Sequence, residues 1–274
     1  MANRKLLLTG YVALAALLAL ATGTFAQSNP PGDGPPPRAT GYLTREQVPD
    51  HAALLPAPPA DGSALAAADV AVFRATRTLQ GSARWQLAAQ DNAVSRDAML
   101  RNFACALGAD FSAVDAPALG RVLARSWADV IDIVEAAKEH YQRPRPFLTE
   151  NGPICIEASE RFARSGSYPS AHSASGWLHA LLLTELDPAH AGAILERGRA
   201  YGESRVVCGV HYVSDVEAGR AIATAILAAL HGNAEFGADL EAARTELTRI
   251  RDGDTASQAA ATCAQEKVNL KTPW

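Results

Sequence analysis

From residue 117 to about 140, the apolar side chains of Leu119, Val122, Leu123, Trp127, Val130, Ile131 and Val134 return every three or four positions. That period gathers them on one face of an α-helix; a strand, whose side chains alternate, would split them between two faces. Pro117 suits the first helical position, where its missing N–H costs nothing, and Pro144 and Pro146 stop the run. The same texture predicts helices over residues 64–79, 84–107, 170–186, 188–205, 214–231 and 235–251, with Ser214-x-x-Glu217 as a capping box. Alternating strand patterns are nearly absent and no internal repeat is present. The expected architecture is all-α, with a single compact helical domain over residues 63–274.

The first residues have a different character. Arg4 and Lys5 precede an apolar stretch from Leu6 to Ala21, and Thr24-Phe25-Ala26 offers small residues at the two positions a signal peptidase reads. Residues 1–26 therefore read as a secretory signal peptide. Its rival reading, an uncleaved membrane anchor, is disfavoured because a Pro/Gly-rich stretch, residues 27–62, follows at once and reads as an extended arm. No later stretch is long and apolar enough to span a membrane. The expected location is the periplasm, with no membrane association after cleavage.

The chain carries 25 Lys+Arg against 29 Asp+Glu. This mild acidity argues against a nucleic-acid polymer as partner, while a local basic cluster remains free to hold a small anion. A homo-oligomer is compatible with the composition. Cys105, Cys155, Cys208 and Cys263 make an even set without zinc-ligand spacing, which in an oxidising compartment means two disulfides. Of three connectivities, Cys105–Cys155 with Cys208–Cys263 is the one favoured.

Three segments concentrate basic and hydroxyl side chains: residues 138–146, 166–173 and 204–215. Lys138 ends a helix, Arg145 lies between two prolines that fix its direction, and Arg205 ends another helix. Cations brought together repel one another unless an anion lies between them, and Arg grips oxyanions through paired N–H groups. Ser170 is the expected N-cap of a helix whose first amides, from Ala171 and His172, form an anion site. His211 and Asp215 lie four apart, so the carboxylate can fix the imidazole tautomer and leave the other nitrogen as nucleophile. His172 is placed to protonate a leaving oxygen. This set calls for no metal and no cofactor. His51, His179, His190 and His231 are assigned to surface or core, His140 to a helix end, and Arg143 and Arg164 to the surface.

The pattern Lys-x6-Arg-Pro, Pro-Ser-Gly-His, Ser-Arg-x5-His-x3-Asp belongs to the type 2 phosphatidic acid phosphatase superfamily. It is matched here by Lys138, Arg145-Pro146, Pro169-Ser170-Ala171-His172, Ser204-Arg205, His211 and Asp215. Residues 166–170 and Cys105-Ala-Leu-Gly108 further resemble the secreted class A non-specific acid phosphatases of bacteria. The resemblance covers residues 64–229 and implies an all-helical, metal-independent enzyme acting on small phosphate monoesters of broad range through a phosphohistidine. It implies His211 as nucleophile, Asp215 as its orienting partner and His172 as acid. It likewise implies Lys138, Arg145, Ser170, Arg205 and the Ala171 amide as the phosphate clamp. A vanadium-dependent haloperoxidase, a membrane-lipid phosphatase and a non-catalytic phosphate-binding protein are the competing readings. Ala171 departs from the family's Gly; it is harmless in a first helical turn and strained if the backbone there needs positive φ.

Overall fold

The computed structural model describes residues 39–109, 111, 115–252 and 260–274; the signal segment and residues 27–38 of the arm lie outside them. The described residues form helices and connecting loops, with no strand among them. In chain order the helices are α1 (His51–Leu54), α2 (Ala64–Thr76), α3 (Ala83–Gln90), α4 (Arg96–Leu107), α5 (Pro117–Tyr141), α6 (Pro146–Thr149) and α7 (Glu160–Arg164). They continue with α8 (Ala171–Leu186), α9 (Ala191–Val207), α10 (Val213–Leu230), α11 (Ala234–Asp252) and α12 (Ala260–Asn269).

The apolar face of α5 supplies Leu119, Val122, Val130, Val134 and Ala137 to the main core, and α10 and α11 pack against this helix. The helix ends where Gln142 turns left-handed, φ 46°, and returns its N–H to the Lys138 carbonyl at 2.9 Å. Central to the fold is α8, packed between α9 and α10. Small residues let these helices close. A Cβ on Gly219 would stand 2.5 Å from the Ser170 carbonyl oxygen and 3.0 Å from the Ala174 nitrogen. The starts of α8 and α10 are also joined by two hydrogen bonds. Ser170 N–H donates to the Asp215 carbonyl at 2.9 Å, and the Ser173 hydroxyl to the Val216 carbonyl at 2.7 Å. Because the obstacle at Gly219 is backbone, Gly219→Ala must push α10 away from the head of α8. We expect a loss of about 1–3 kcal/mol in denaturant unfolding together with reduced activity; an unchanged midpoint and unchanged activity would contradict this packing.

Several sequence expectations are corrected. The run 84–107 is broken into α3 and α4, because Asp91 is buried and accepts from Arg197 Nη2 at 2.5 Å and from the Ser204 hydroxyl at 2.5 Å. A charge satisfied from outside the helix holds the chain in a loop there, and Ser95 caps the restart by accepting from Ala98 N–H at 3.2 Å. Ser214 does not cap α10. The helix begins at Val213, and Asp215 Oδ2 accepts the Tyr212 N–H at 2.8 Å. The favoured disulfide pairing is also overturned: the bridges are Cys105–Cys263 and Cys155–Cys208. The first ties α4 to α12, a helix the sequence pattern did not predict. The second joins a loop to the end of α9, where Cys155 N–H also donates to the Cys208 carbonyl at 3.0 Å.

Residues 39–62 pass over the helical body. The Tyr42 and Leu43 amides donate to the Asp129 carboxylate at 2.9 and 3.0 Å, and the Tyr168 hydroxyl donates to the Pro56 carbonyl at 2.9 Å. Among the described residues no helix is long and apolar enough to cross a membrane.

Candidate functional site

The residues singled out in the sequence come from five places: the end of α5, the loops 142–145 and 165–170, the head of α8, and the α9–α10 junction. That junction is shaped by two features. Gly209, at φ 82°, reverses the chain between the helices. Arg77 Nη2 donates to the Val206 and Val207 carbonyls at 2.9 and 2.6 Å, fixing the last turn that carries Arg205.

Arg145 is almost wholly buried. Its Nε donates to the Phe162 and Ser165 carbonyls at 3.0 Å each, and its Nη1 donates to the Val210 carbonyl at 3.1 Å. The guanidinium lies 3.8 Å from the Phe162 ring centroid. The same Nη1 stands 3.0 Å from His211 Nε2. A guanidinium has donors and no acceptor, so His211 Nε2 must present its lone pair and the ring proton resides on Nδ1. Burial, together with Arg145, Lys138 and Arg205, holds the His211 imidazole well below the usual histidine range. It is therefore neutral, with the Nε2 lone pair turned toward Arg145 and the other clamp cations.

On its other side, His211 Nδ1 lies 3.4 Å from Asp215 Oδ2 and 3.4 Å from the Ser167 hydroxyl, and the Ser167 backbone also bonds the ring. Ser167 donates its hydroxyl to Asp215 Oδ2 at 2.5 Å. Asp215 thus reaches His211 both directly and by way of Ser167, a residue within the second basic segment to which sequence reasoning gave no role. Burial raises the Asp215 pKa, opposed by Arg143, the Ser167 hydroxyl and the Tyr212 N–H.

Arg143, expected at the surface, is a correction. It is mostly buried, donates from Nη1 to Asp215 Oδ1 at 2.6 Å and from Nη2 to Asp69 Oδ2 at 2.9 Å, and covers the Tyr212 ring at 4.3 Å. Burial acts against its charge, but Asp215 and Asp69 more than offset this and hold its pKa above the ordinary value. Asp69 in α2 also accepts the Ser214 N–H at 3.0 Å. Buried charges must be paired, so Asp69, Arg143 and Asp215 form one unit behind His211. The signal for Asp69 was a lone carboxylate in an Ala-rich apolar run. Arg164 is exposed, as expected, and pairs with Glu160.

Arg205 is fully buried. Its Nη2 donates to Asn92 Oδ1 at 3.1 Å, whereas Nε and Nη1 have no hydrogen-bond partner among the described residues. Burial lowers its pKa to about 10. Arg145 is likewise lowered to about 10, by burial and by Arg205 itself. Lys138 is buried, 3.4 Å from Glu135, and its pKa is lowered by burial and by Arg145 against the pull of Glu135. Burial is the main cause for all three, and the added pull of Arg205 on Arg145 and of Arg145 on Lys138 is what close, like charges produce.

Ser170 is buried and caps α8, accepting from Ser173 N–H at 3.3 Å. Ala171 is the first residue of the helix, and its backbone is not left-handed, so its methyl costs no strain. His172 Nε2 lies 3.2 Å from the Asn92 carbonyl oxygen, which fixes Nε2 as a donor and leaves Nδ1 to exchange a proton. Burial and Arg205 hold His172 well below the usual range. Asn92, which no motif marked, thus touches both Arg205 and His172. Ser204 does not join this group: it donates to Asp91 and accepts from Arg84 Nη1 at 2.9 Å.

Chemically, the arrangement holds three buried cations, one with unpartnered donors, a helix N-terminus, an imidazole lone pair and a second imidazole. Comparison with known proteins agrees with it. Residues 122–235 match the model of the PAP2 superfamily. An acid phosphatase of Zymomonas mobilis is 44% identical over 195 residues, 71% of this chain and 74% of that protein. A non-specific acid phosphatase of Providencia stuartii is 36% identical over 234 residues, 85% and 94% of the two chains. One from Salmonella typhimurium is 35% identical over 195 residues, 70% and 78%. With the motif residues other than Ser204 gathered around one buried cationic cradle and relatives matched over most of their length, the chain belongs to the PAP2 superfamily, among the bacterial non-specific acid phosphatases.

Proposed function

We propose that this phosphatase is an exported, metal-independent acid phosphatase that hydrolyses a broad range of small phosphate monoesters through a phosphohistidine on His211. The observation that carries the reading is Arg205. A buried guanidinium with two donors unpartnered costs several kcal/mol unless water or an anion takes them, and beside Arg145 and Lys138 the surrounding positive charge favours a tetrahedral oxyanion.

In this scheme the phosphoryl oxygens are held by Lys138, Arg145, Arg205, the Ser170 hydroxyl and the Ala171 amide. The His211 Nε2 lone pair forms a bond to phosphorus as the P–O bond to the alcohol breaks, and His172 gives its proton to the departing oxygen. Neutral His172 then takes a proton from the water that attacks phosphorus; as the new P–O bond forms, the P–N bond breaks, its electron pair returns to His211 Nε2, and inorganic phosphate is released. Charge in flight is stabilised by the three cations. Asp215, Ser167 and Arg143 keep the Nδ1 proton of His211 in place.

The pH dependence follows in sign. His172 must carry a proton when the alcohol leaves, and burial with Arg205 disfavours that charge in the free protein. A bound phosphate dianion opposes the cations and raises the His172 pKa. Turnover is therefore expected to fall as pH rises through that value, with the optimum on the acid side. Phosphomonoesters, diesters and nucleotides assayed across pH, with and without chelator, check this. Monoester hydrolysis that survives chelation and declines toward alkaline pH is expected. Chelator-sensitive activity, or halide oxidation in the presence of vanadate and peroxide without phosphatase activity, would overturn it. The segment 1–26 would supply export, and cleavage after Ala26, read by N-terminal sequencing of the secreted protein, tests that part.

A further inference from the structure

The proton donor must lie within hydrogen-bond reach of the leaving oxygen, so the alcohol of any ester starts within a few ångströms of His172. His172 lines a cavity of about 320 Å³ between the head of α8, α5 and the start of α4, walled by Val94, Met99, Leu123, Ala124, Trp127 and Ala171. This is the low end of the size of small-molecule sites, which run from about 300 to 1,000 Å³. At its rim the Arg96 Nε is engaged by Asp97 at 2.9 Å, and the Ser175 hydroxyl is a further polar group of the wall besides the two histidines. His179, also in the wall, is buried, and burial lowers its pKa to about 4, so its ring is neutral at working pH. A polyhydroxylated alcohol entering here would lose its water and find few partners, whereas a flat apolar group would exchange water for carbon. The methyl of Ala171, at the position where the family's motif has Gly, adds to the same wall.

We propose that this cavity is the leaving-group subsite and that it selects phosphomonoesters whose alcohol carries a compact apolar or aromatic group over esters of glycerol and sugars. The inference rests on the reading of His172 as the acid, so its test separates binding from turnover. Benzylphosphonate and methylphosphonate, neither hydrolysable, are titrated calorimetrically into the wild type, Val94→Asn and Trp127→Ala. Val94 is exposed, which makes its variant safe for folding. In parallel, kcat/KM is compared for benzyl phosphate and glycerol 1-phosphate, whose leaving groups are both primary alcohols of similar acidity.

Benzylphosphonate is expected to bind about tenfold or more tighter than methylphosphonate. Both variants should erode that advantage while leaving methylphosphonate unchanged, and the kcat/KM ratio should fall with it. Equal affinity for the two phosphonates, or an advantage untouched by both variants, overturns the subsite and leaves the phosphate cradle standing. Failure of both phosphonates and of inorganic phosphate to bind would instead remove the cradle, and the subsite with it.

Discussion

His211→Ala is expected to lower hydrolysis of p-nitrophenyl phosphate by about 10⁴-fold or more, while circular dichroism and the unfolding midpoint stay close to wild type. The size of the loss follows from the role: with no Nε2 lone pair the covalent path closes, and a good leaving group does not rescue it. Survival of the fold follows from the surroundings. Arg145 keeps its bonds to the Phe162, Ser165 and Val210 carbonyls when the ring is removed. Asp215 keeps Arg143, Ser167 and the Tyr212 amide. His211 is also a buried neutral imidazole among cations, an environment that disfavours its protonated form and gains nothing from it. Inorganic phosphate should still bind, because the three cations remain. His172→Ala supplies the contrast: it should slow alkyl esters far more than p-nitrophenyl phosphate. Near-normal turnover by His211→Ala would refute the nucleophile assignment.

The second large effect is expected at Arg143. Arg143→Met keeps much of the side-chain volume but leaves Asp215 and Asp69 buried without their shared cation. Breaking one member of a buried ionic set costs about 3–5 kcal/mol, since the orphaned charge cannot reach water. Without Arg143, burial should raise the Asp215 pKa further, so the stability deficit should grow as pH rises from the ordinary carboxylate range to that raised value and shrink in acid, where the carboxyl is neutral. Arg143→Lys should recover little, because one ammonium cannot reproduce the two-carboxylate fork. A merely structural role would leave kcat intact in the folded fraction. Positioning of His211 through Asp215 predicts instead a drop of about 10–100-fold in kcat with an altered pH profile. An unfolding free energy within about 1 kcal/mol of wild type, with unchanged kcat, would contradict the assignment.

These two residues mark what the sequence disclosed and what it hid. His211 and Asp215 were legible because four-residue spacing at a helix entrance has few meanings once Arg205 precedes it. Arg145 was legible because flanking prolines fix its direction. The helical period of α5 was visible since its apolar face meets the core along most of its length. Arg143 was misread, as a lone Arg in a loop is ordinarily solvated, and nothing local shows that carboxylates on α2 and α10 will converge on it. Asn92 and Asp91 were hidden for the same reason: their partners, Arg205, His172, Arg197 and Ser204, lie about 80 to 113 positions away. The disulfide pairing depended on where α12 docks, and ten residues, fewer than three turns, repeat the helical period too few times to place a helix. Fold class is a matter of local pattern, whereas charge networks are written in long-range contacts.

The central claim is that the cradle delivers phosphorus to the His211 lone pair, so that hydrolysis proceeds by two in-line displacements. The stereochemical course at phosphorus tests this most directly. A phosphorothioate monoester made chiral with oxygen isotopes is hydrolysed in labelled water, and the configuration of the thiophosphate product is determined. Retention is the predicted result, because each displacement inverts the centre once. Inversion would mean that water attacks the ester directly, and would contradict the covalent role of His211.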